Sequence, residues 1–202
     1  MEYAGELLWP GHLGHFAVIV SFCSALMGTL AYGHALSGPT LPRGRWELWG
    51  RWAFGIHSAA VFTIIATLFG IIYFHRYEYH YAWSHASKSL PTHYILSAFW
   101  EGQEGSFLLW IFWHTVLGWI FLGVSGRRWE AGVMGVLSFA QLMLSSMLLG
   151  TTLGIPGLME WSIGSSPFTL LRETLQAPIF NRPDYLQWIN DGNGLNPLLQ
   201  NP

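Results

Sequence analysis

The chain has 202 residues, 51% of them hydrophobic and only 10% charged, with 12 Trp, 13 Phe and a formal net charge of −2. A soluble domain carries charge on about a quarter of its positions, so this composition excludes a polypeptide that covers itself with a water-facing polar surface. No basic run or Gly-rich phosphate loop points to nucleic acid, and the single cysteine, Cys23, excludes an internal disulfide, a CxxC redox pair and a CxxCH haem-attachment site.

No Asp, Glu, Lys or Arg lies in four stretches: between Glu6 and Arg43, between Arg51 and Arg76, between Gly105 and Gly126, and between Ala131 and Met159. Each reaches the ~20 residues that a helix needs to cross a hydrocarbon layer of ~30 Å. The fold class that follows is an all-α, polytopic integral membrane helical bundle with four predicted transmembrane helices. Span one covers about 13–36. Acidic Glu2 and Glu6 precede it where a signal peptide would be basic, so it reads as a retained span. Ser24 and Gly28, four apart, form a small-residue stripe that lets another helix come close. A loop with Gly38, Pro39, Pro42, Arg43, Arg45 and Arg51 leads into span two, about 52–75, which carries His57.

An interfacial segment, 76–105, comes next. Tyr77, Tyr79, Tyr81 and Trp83 alternate along it, which predicts either an extended aromatic belt at the headgroup level or a platform for a flat ligand. Pro91 opens a short helix, Thr92 to Trp100. Trp100-Glu101-Gly102-Gln103-Glu104-Gly105-Ser106 then sets two acids and two glycines at the entry to span three, 106–124. Span four covers about 131–153, with Ser138, Gln141 and Ser145 on one face that must turn inward and not toward lipid. Gly154 and Pro156 end it. Residues 154–202 read as an extramembrane tail with room for two short helices. Five of the nine basic residues sit in the two short loops, so the positive-inside rule predicts those loops in the cytoplasm and both termini, the 76–105 segment and the tail in the periplasm.

Nine histidines invite a haem reading. His34 and His57 fall roughly 5 Å apart in depth at 1.5 Å per residue, a poor match for two axial ligands on one iron. His114, inside span three, is an intramembrane ionisable group without an evident partner. Glu101 and Glu104 are explained as well by the positive end of the following helix as by a cation site or a general-acid pair. The sequence offers no nucleophile–base arrangement and no metal-spaced Cys/His set.

Two motifs carry a resemblance. Leu90-Pro91, Tyr94, Ala98, Trp100 and Glu104-Gly105-Ser106-Phe107-Leu108-Leu109-Trp110 resemble the "LP…Y…A.WgghEGSlLLW" signature of the CcmF family of cytochrome c-type biogenesis haem-lyase subunits. That family falls in the wider CcmF/CcmC/CcsA haem-handling superfamily. His85 is similar to a position often filled by His or Asn there. Far downstream, Leu195-Asn196-Pro197-Leu198-Leu199-Gln200-Asn201-Pro202 resembles the family's outward "LNPLLQdP" stretch. The resemblance implies a bacterial inner-membrane protein that handles haem b as substrate and takes part in its covalent attachment to apocytochrome c at the outer face. Implied partners are the haem chaperone CcmE, CcmH/CcmI-type apocytochrome-delivery subunits, apocytochrome c, the lipid bilayer and the remainder of CcmF. The family's "HPP" and tryptophan-rich "WGGxWxWD" segments do not occur in these residues, so the haem-binding and catalytic part of the haem lyase is expected outside this chain. No family ligand carries over. His85, Trp100, Glu104 and Trp110 are the residues expected near the haem site.

Two other classes compete. One is a small b-haem electron-transfer subunit built on His34 and His57. The other is an ion-coupled transporter subunit using Glu101, Glu104, His114 and Gln141.

Overall fold

A computed structural model describes residues 3–38, 43–155, 159–175 and 177–199 of the chain. Pro39, Pro42, Pro156 and the Gln200–Pro202 end of the second motif lie outside them. Helices are α1 (Trp9–Ser37), α2 (Arg43–Tyr73), α3 (His80–His85), α4 (Thr92–Glu101), α5 (Gln103–Val124), α6 (Arg127–Ser146) and α7 (Leu171–Thr174). Among the described residues the tail adds three 3-10 turns, at Pro178–Asn181, Tyr185–Gln187 and Pro197–Leu199.

Among the described residues three helices are long and apolar enough to cross a membrane: Trp9–Ser37, Gly44–Tyr73 and Gln103–Val124. The first, at 29 residues, is about 43 Å long at 1.5 Å per residue. The second begins well before the expected residue 52, so Arg45 and Arg51 ride on a helix and not in a loop. It ends in a Schellman arrangement: His75 adopts φ 51°, its N–H donates to Ile72 O and Arg76 N–H donates to Ile71 O. Pro91 precedes α4 as expected.

The fold is helical with one addition that the expectation of an all-α chain left out. The region predicted as the end of span four holds instead an antiparallel hairpin, β1 (Thr151–Ile155) with β2 (Met159–Ile163), in which Thr151 faces Ile163 and Ile155 faces Met159. Helix α6 stops at Ser146 because the chain turns through Gly150, φ 58°, and returns through Gly164, φ 66°. Both are left-handed conformations that glycine adopts without penalty.

The chain divides into two units: Met1–His15, Ile64–Ser106 and Ser166–Pro202 form one, Phe16–Thr63 and Phe107–Ser165 the other. In the second unit the predicted small-residue stripe meets the predicted polar stripe. A Cβ on Gly28 would come within 3.0 Å of Ser138 Oγ, and Ser21 Oγ lies 3.3 Å from Ser145 Oγ. Ser138, Gln141 and Ser145 are all buried. Gln141 Nε2 donates to Ile111 O and Thr115 Oγ1, each at 3.0 Å, so the polar face of α6 turns toward α1 and α5, while Ser138 Oγ has no hydrogen-bond partner among the described residues. Tyr32, Ala35, Phe54, Ala131 and Met134 form the apolar core beside it. Arg51 makes two bonds of 2.6 Å to the buried carboxylate of Glu130.

The first unit gathers segments far apart in sequence. Ala4 N–H donates to Pro183 O, and Glu6 Oε1 accepts from Arg172 Nε at 2.9 Å and Tyr185 Oη at 2.7 Å. Leu171, Phe180 and Tyr185 form its apolar cluster.

Candidate functional site

Three tyrosines build the site from below. The alternating Tyr77, Tyr79 and Tyr81 do not present a platform: they are 5%, 1% and 3% exposed. The chain turns into α3 at His80, so side chains that would alternate across an extended strand point inward instead. Each hydroxyl holds a different segment. Tyr77 Oη donates to Asp191 Oδ1 at 2.8 Å. Tyr79 Oη donates to Leu7 O at 2.7 Å and accepts Gly11 N–H at 2.8 Å. Tyr81 Oη donates to Phe99 O at 2.7 Å and accepts Gly102 N–H at 3.2 Å. Burial pushes all three phenols up, that of Tyr79 to about 12. They therefore stay protonated and keep donating.

Tyr81 fixes the junction between α4 and α5. A Cβ on Gly105 would overlap the Phe99 carbonyl and the Tyr81 hydroxyl, and one on Gly102 would lie 2.6 Å from the Tyr81 ring and 3.0 Å from His85 Cε1. The two glycines thus let α5 start against the end of α4. Ser106 Oγ closes the turn by donating to Trp100 O at 2.9 Å. His85, half-buried, lies with its ring 4.4 Å from that of Tyr81 and donates from Nδ1 to Tyr81 O at 2.9 Å.

Glu104 stands in the first turn of α5, where the helix end favours an acid. It acts on His80, a residue that sequence reasoning passed over. Burial lowers the His80 pKa, the Glu104 carboxylate opposes that shift and His85 adds to it. His80 Nε2 lies 3.2 Å from Ser84 Oγ, whose hydroxyl donates to His80 O at 2.8 Å. Its signal in the sequence was the His80/Ser84 spacing of four on a short helix. The structure therefore brings His85, Glu104 and the backbone of Trp100 together around Tyr81, with His80 beside them. Trp110 belongs to the other unit, 59% exposed on α5 and edge-on to Phe107 at 6.3 Å.

The second sequence motif closes on the first. Asn196 N–H donates to Glu101 Oε1 at 2.8 Å. Just upstream, Asn193 N–H donates to Trp83 O at 2.8 Å and Gly194 N–H to Ala86 O at 3.1 Å. Asp191 Oδ1 accepts from Lys88 N–H, Gly192 N–H and Tyr77 Oη, each at 2.8 Å. Burial works against these three donors, yet together they hold the Asp191 carboxyl below its usual range. Glu101, weighed as a cation ligand, serves here to anchor a backbone amide. Chemically the site offers two imidazoles, two carboxylates and the half-buried indole of Trp83, 6.4 Å from the His80 ring; the Trp100 side chain is half-buried as well. Among the described residues no group of three or more His, Cys, Asp or Glu is placed to hold a metal ion.

The remaining sequence candidates sit elsewhere. His57 is buried, with Nδ1 3.0 Å from Ser21 O. His34 is exposed, bonded to Leu30 O at 2.8 Å and stacked on Trp46 at 4.8 Å. The two make their contacts with different residues. His114 lines a mainly apolar hollow of about 540 Å³ with Trp129, Val136 and Leu137.

The chain is 29% identical over 201 residues to the cytochrome c-type biogenesis protein CcmF of Pseudomonas aeruginosa, a match covering 93% of this chain and 25% of that protein. It is 31% identical over 146 residues to CcmF of Haemophilus influenzae, covering 70% of this chain and 18% of the relative. It is also 29% identical over 102 residues to the biogenesis protein NrfE of the same organism, covering 50% and 15%. A solved structure, cytochrome c haem lyase CcmF, shares the fold with a TM-score of 0.62 at 22% identity, over 73% of this chain and 25% of that one. No protein-family model matches. The chain is thus CcmF-like, as its two motifs suggested, and spans about a quarter of the length of the first of these relatives.

Proposed function

We propose that this chain is one part of a CcmF-like cytochrome c maturation protein and takes part in haem delivery and covalent haem attachment to apocytochrome c at the outer face of the bacterial inner membrane. The observation that carries the reading is the contact between the two motifs. Leu90–Trp110 and the Leu195 motif lie about ninety residues apart, and they are joined at Glu101 and Asn196. The joint borders the His80/His85/Glu104 cluster, and the Trp83 ring lies 6.4 Å from that of His80. An aromatic edge with imidazoles and a carboxylate suits a flat, apolar ring system with polar margins, which is the chemistry of a porphyrin. Haem enters as substrate, and its ligation falls to parts of the complete protein that these residues do not supply. The reading takes α6 as a fourth span beside the three apolar helices. It puts both termini in the periplasm and gives the chain CcmE, CcmH/CcmI-type subunits, apocytochrome c and the remainder of CcmF as partners.

The test is holocytochrome c yield, by haem staining, in cells carrying the complete maturation system. Trp100→Ala and Glu104→Ala are expected to lower the yield several-fold at equal membrane levels of the chain. In the same cells, a Gln103→Cys variant in a Cys23→Ser background is expected to react with an impermeant thiol reagent from outside. Unchanged yield, or labelling only after lysis, overturns the reading.

A further inference from the structure

We propose that the outer face of α2 holds one anionic phospholipid, its phosphate on Arg45 and an acyl chain along Leu48, Trp52 and Ile56. These residues and Trp49 line one hollow of about 410 Å³. Their spacing of three, four and seven places them on a single helical face. Four of them are large apolar side chains left in the open, Leu48 at 55%, Trp49 at 53%, Trp52 at 65% and Ile56 at 47% exposure. Arg45 is exposed at the head of the row and makes no ion pair among the described residues.

Charge decides which end takes the headgroup. Arg51, on the same helix, spends its guanidinium on Glu130 through two bonds of 2.6 Å. Arg45 therefore supplies the uncompensated cation at the groove, and a guanidinium matches a phosphate by two parallel N–H···O bonds. From Arg45 to Ile56 the helix rises about 16 Å, close to half of the ~30 Å hydrocarbon thickness. An acyl chain of one leaflet fits that run. Indoles flanking the headgroup level are what an interface selects. A partner helix fits less well: close helix pairs in membranes use small residues, whereas two projecting indoles wall this groove.

The test is native mass spectrometry of the 202-residue chain in detergent, titrated with phosphatidylglycerol or phosphatidylcholine. One phosphatidylglycerol is expected to stay bound where phosphatidylcholine does not. Arg45→Gln is expected to weaken its retention about fivefold, the size of one arginine at an anionic lipid surface. Arg45→Lys, which keeps the charge and loses the fork, is expected to fall between the native chain and Arg45→Gln, and Trp52→Ala to lose retention with the charge intact. Arg128→Gln removes another arginine of this unit without touching the groove and is expected to change nothing. Equal retention of the two lipids, or equal loss in the Arg45 and Arg128 variants, overturns the proposal.

Discussion

His80 is a titratable group whose environment opposes protonation, and the sign of its effect can be worked out. Burial lowers its pKa in the folded chain, against the pull of Glu104 and with the help of His85. The unfolded chain carries an ordinary imidazole with a pKa of about 6.5. Above that value both states are neutral at this position and the fold keeps its full stability. As the pH falls below it, the unfolded chain takes up a proton that folded His80 declines, so stability declines until the pH passes the lowered folded value. Thermal unfolding midpoints in detergent between pH 7.5 and 5 are expected to drop more steeply for the native chain than for His80→Gln. Parallel curves would show that His80 does not titrate between the two states. The sequence made the junction legible through Glu101, Gly102, Glu104 and Gly105, but not the reason for its glycines. Gly105 is a glycine because the Tyr81 hydroxyl and the Phe99 carbonyl occupy the space of a side chain. That fact depends on a tyrosine brought in from α3, and no local spacing announces it.

Helix α6 shows what an element's pattern does and does not reveal. The i, i+3, i+7 spacing of Ser138, Gln141 and Ser145 was enough to predict an inward face, since lipid offers these groups no partner. Its end was not legible. An uncharged run reads as helix until a backbone reversal interrupts it, and here Gly150 and Gly164 redirect the chain into a hairpin. The start of α2 was misread for the opposite reason: its charged residues were taken for a loop, although arginines at a helix end extend toward the interface. Gln141 gives the element its test. Thr115 Oγ1 already donates to Ile111 O at 2.8 Å, so removing the Gln141 amide leaves no buried carbonyl orphaned there, and its own Oε1 has no hydrogen-bond partner among the described residues. Side-chain hydrogen bonds between membrane helices average about 0.6 kcal/mol. Gln141→Leu, close in volume, is expected to cost less than ~1 kcal/mol in unfolding free energy in detergent. Gln141→Ala opens a cavity and is expected to cost about 2 kcal/mol or more. Equal losses for both would mean that the hydrogen bonds, and not the filled volume, hold α6 in place.

At the scale of the whole molecule, the segment leading into the second motif is tied to the first by a few polar bonds with little apolar cover of its own. Between residues 190 and 199 only Leu195 is buried. Attachment therefore rests on the amides of Asn193, Gly194 and Asn196, on Lys88 Nζ donating to Asn190 O at 2.8 Å, and above all on Asp191. Asp191→Ala removes three bonds to a charged acceptor and strands the buried Tyr77 hydroxyl. One such bond is worth about 1.5–3 kcal/mol, and exposure puts each of these at the low end. Local opening is governed by bonds of this kind and not by global stability. The Gly192–Asn196 and Lys88 amides are accordingly expected to exchange hydrogen roughly tenfold faster in Asp191→Ala. The Leu171 amide, which donates to Glu78 O at 2.7 Å in the same unit, is expected to keep its rate. If both sets accelerate together, the variant has loosened the whole unit and Asp191 is not a local tether. If neither does, the backbone amides suffice to hold the second motif at Glu101 without it.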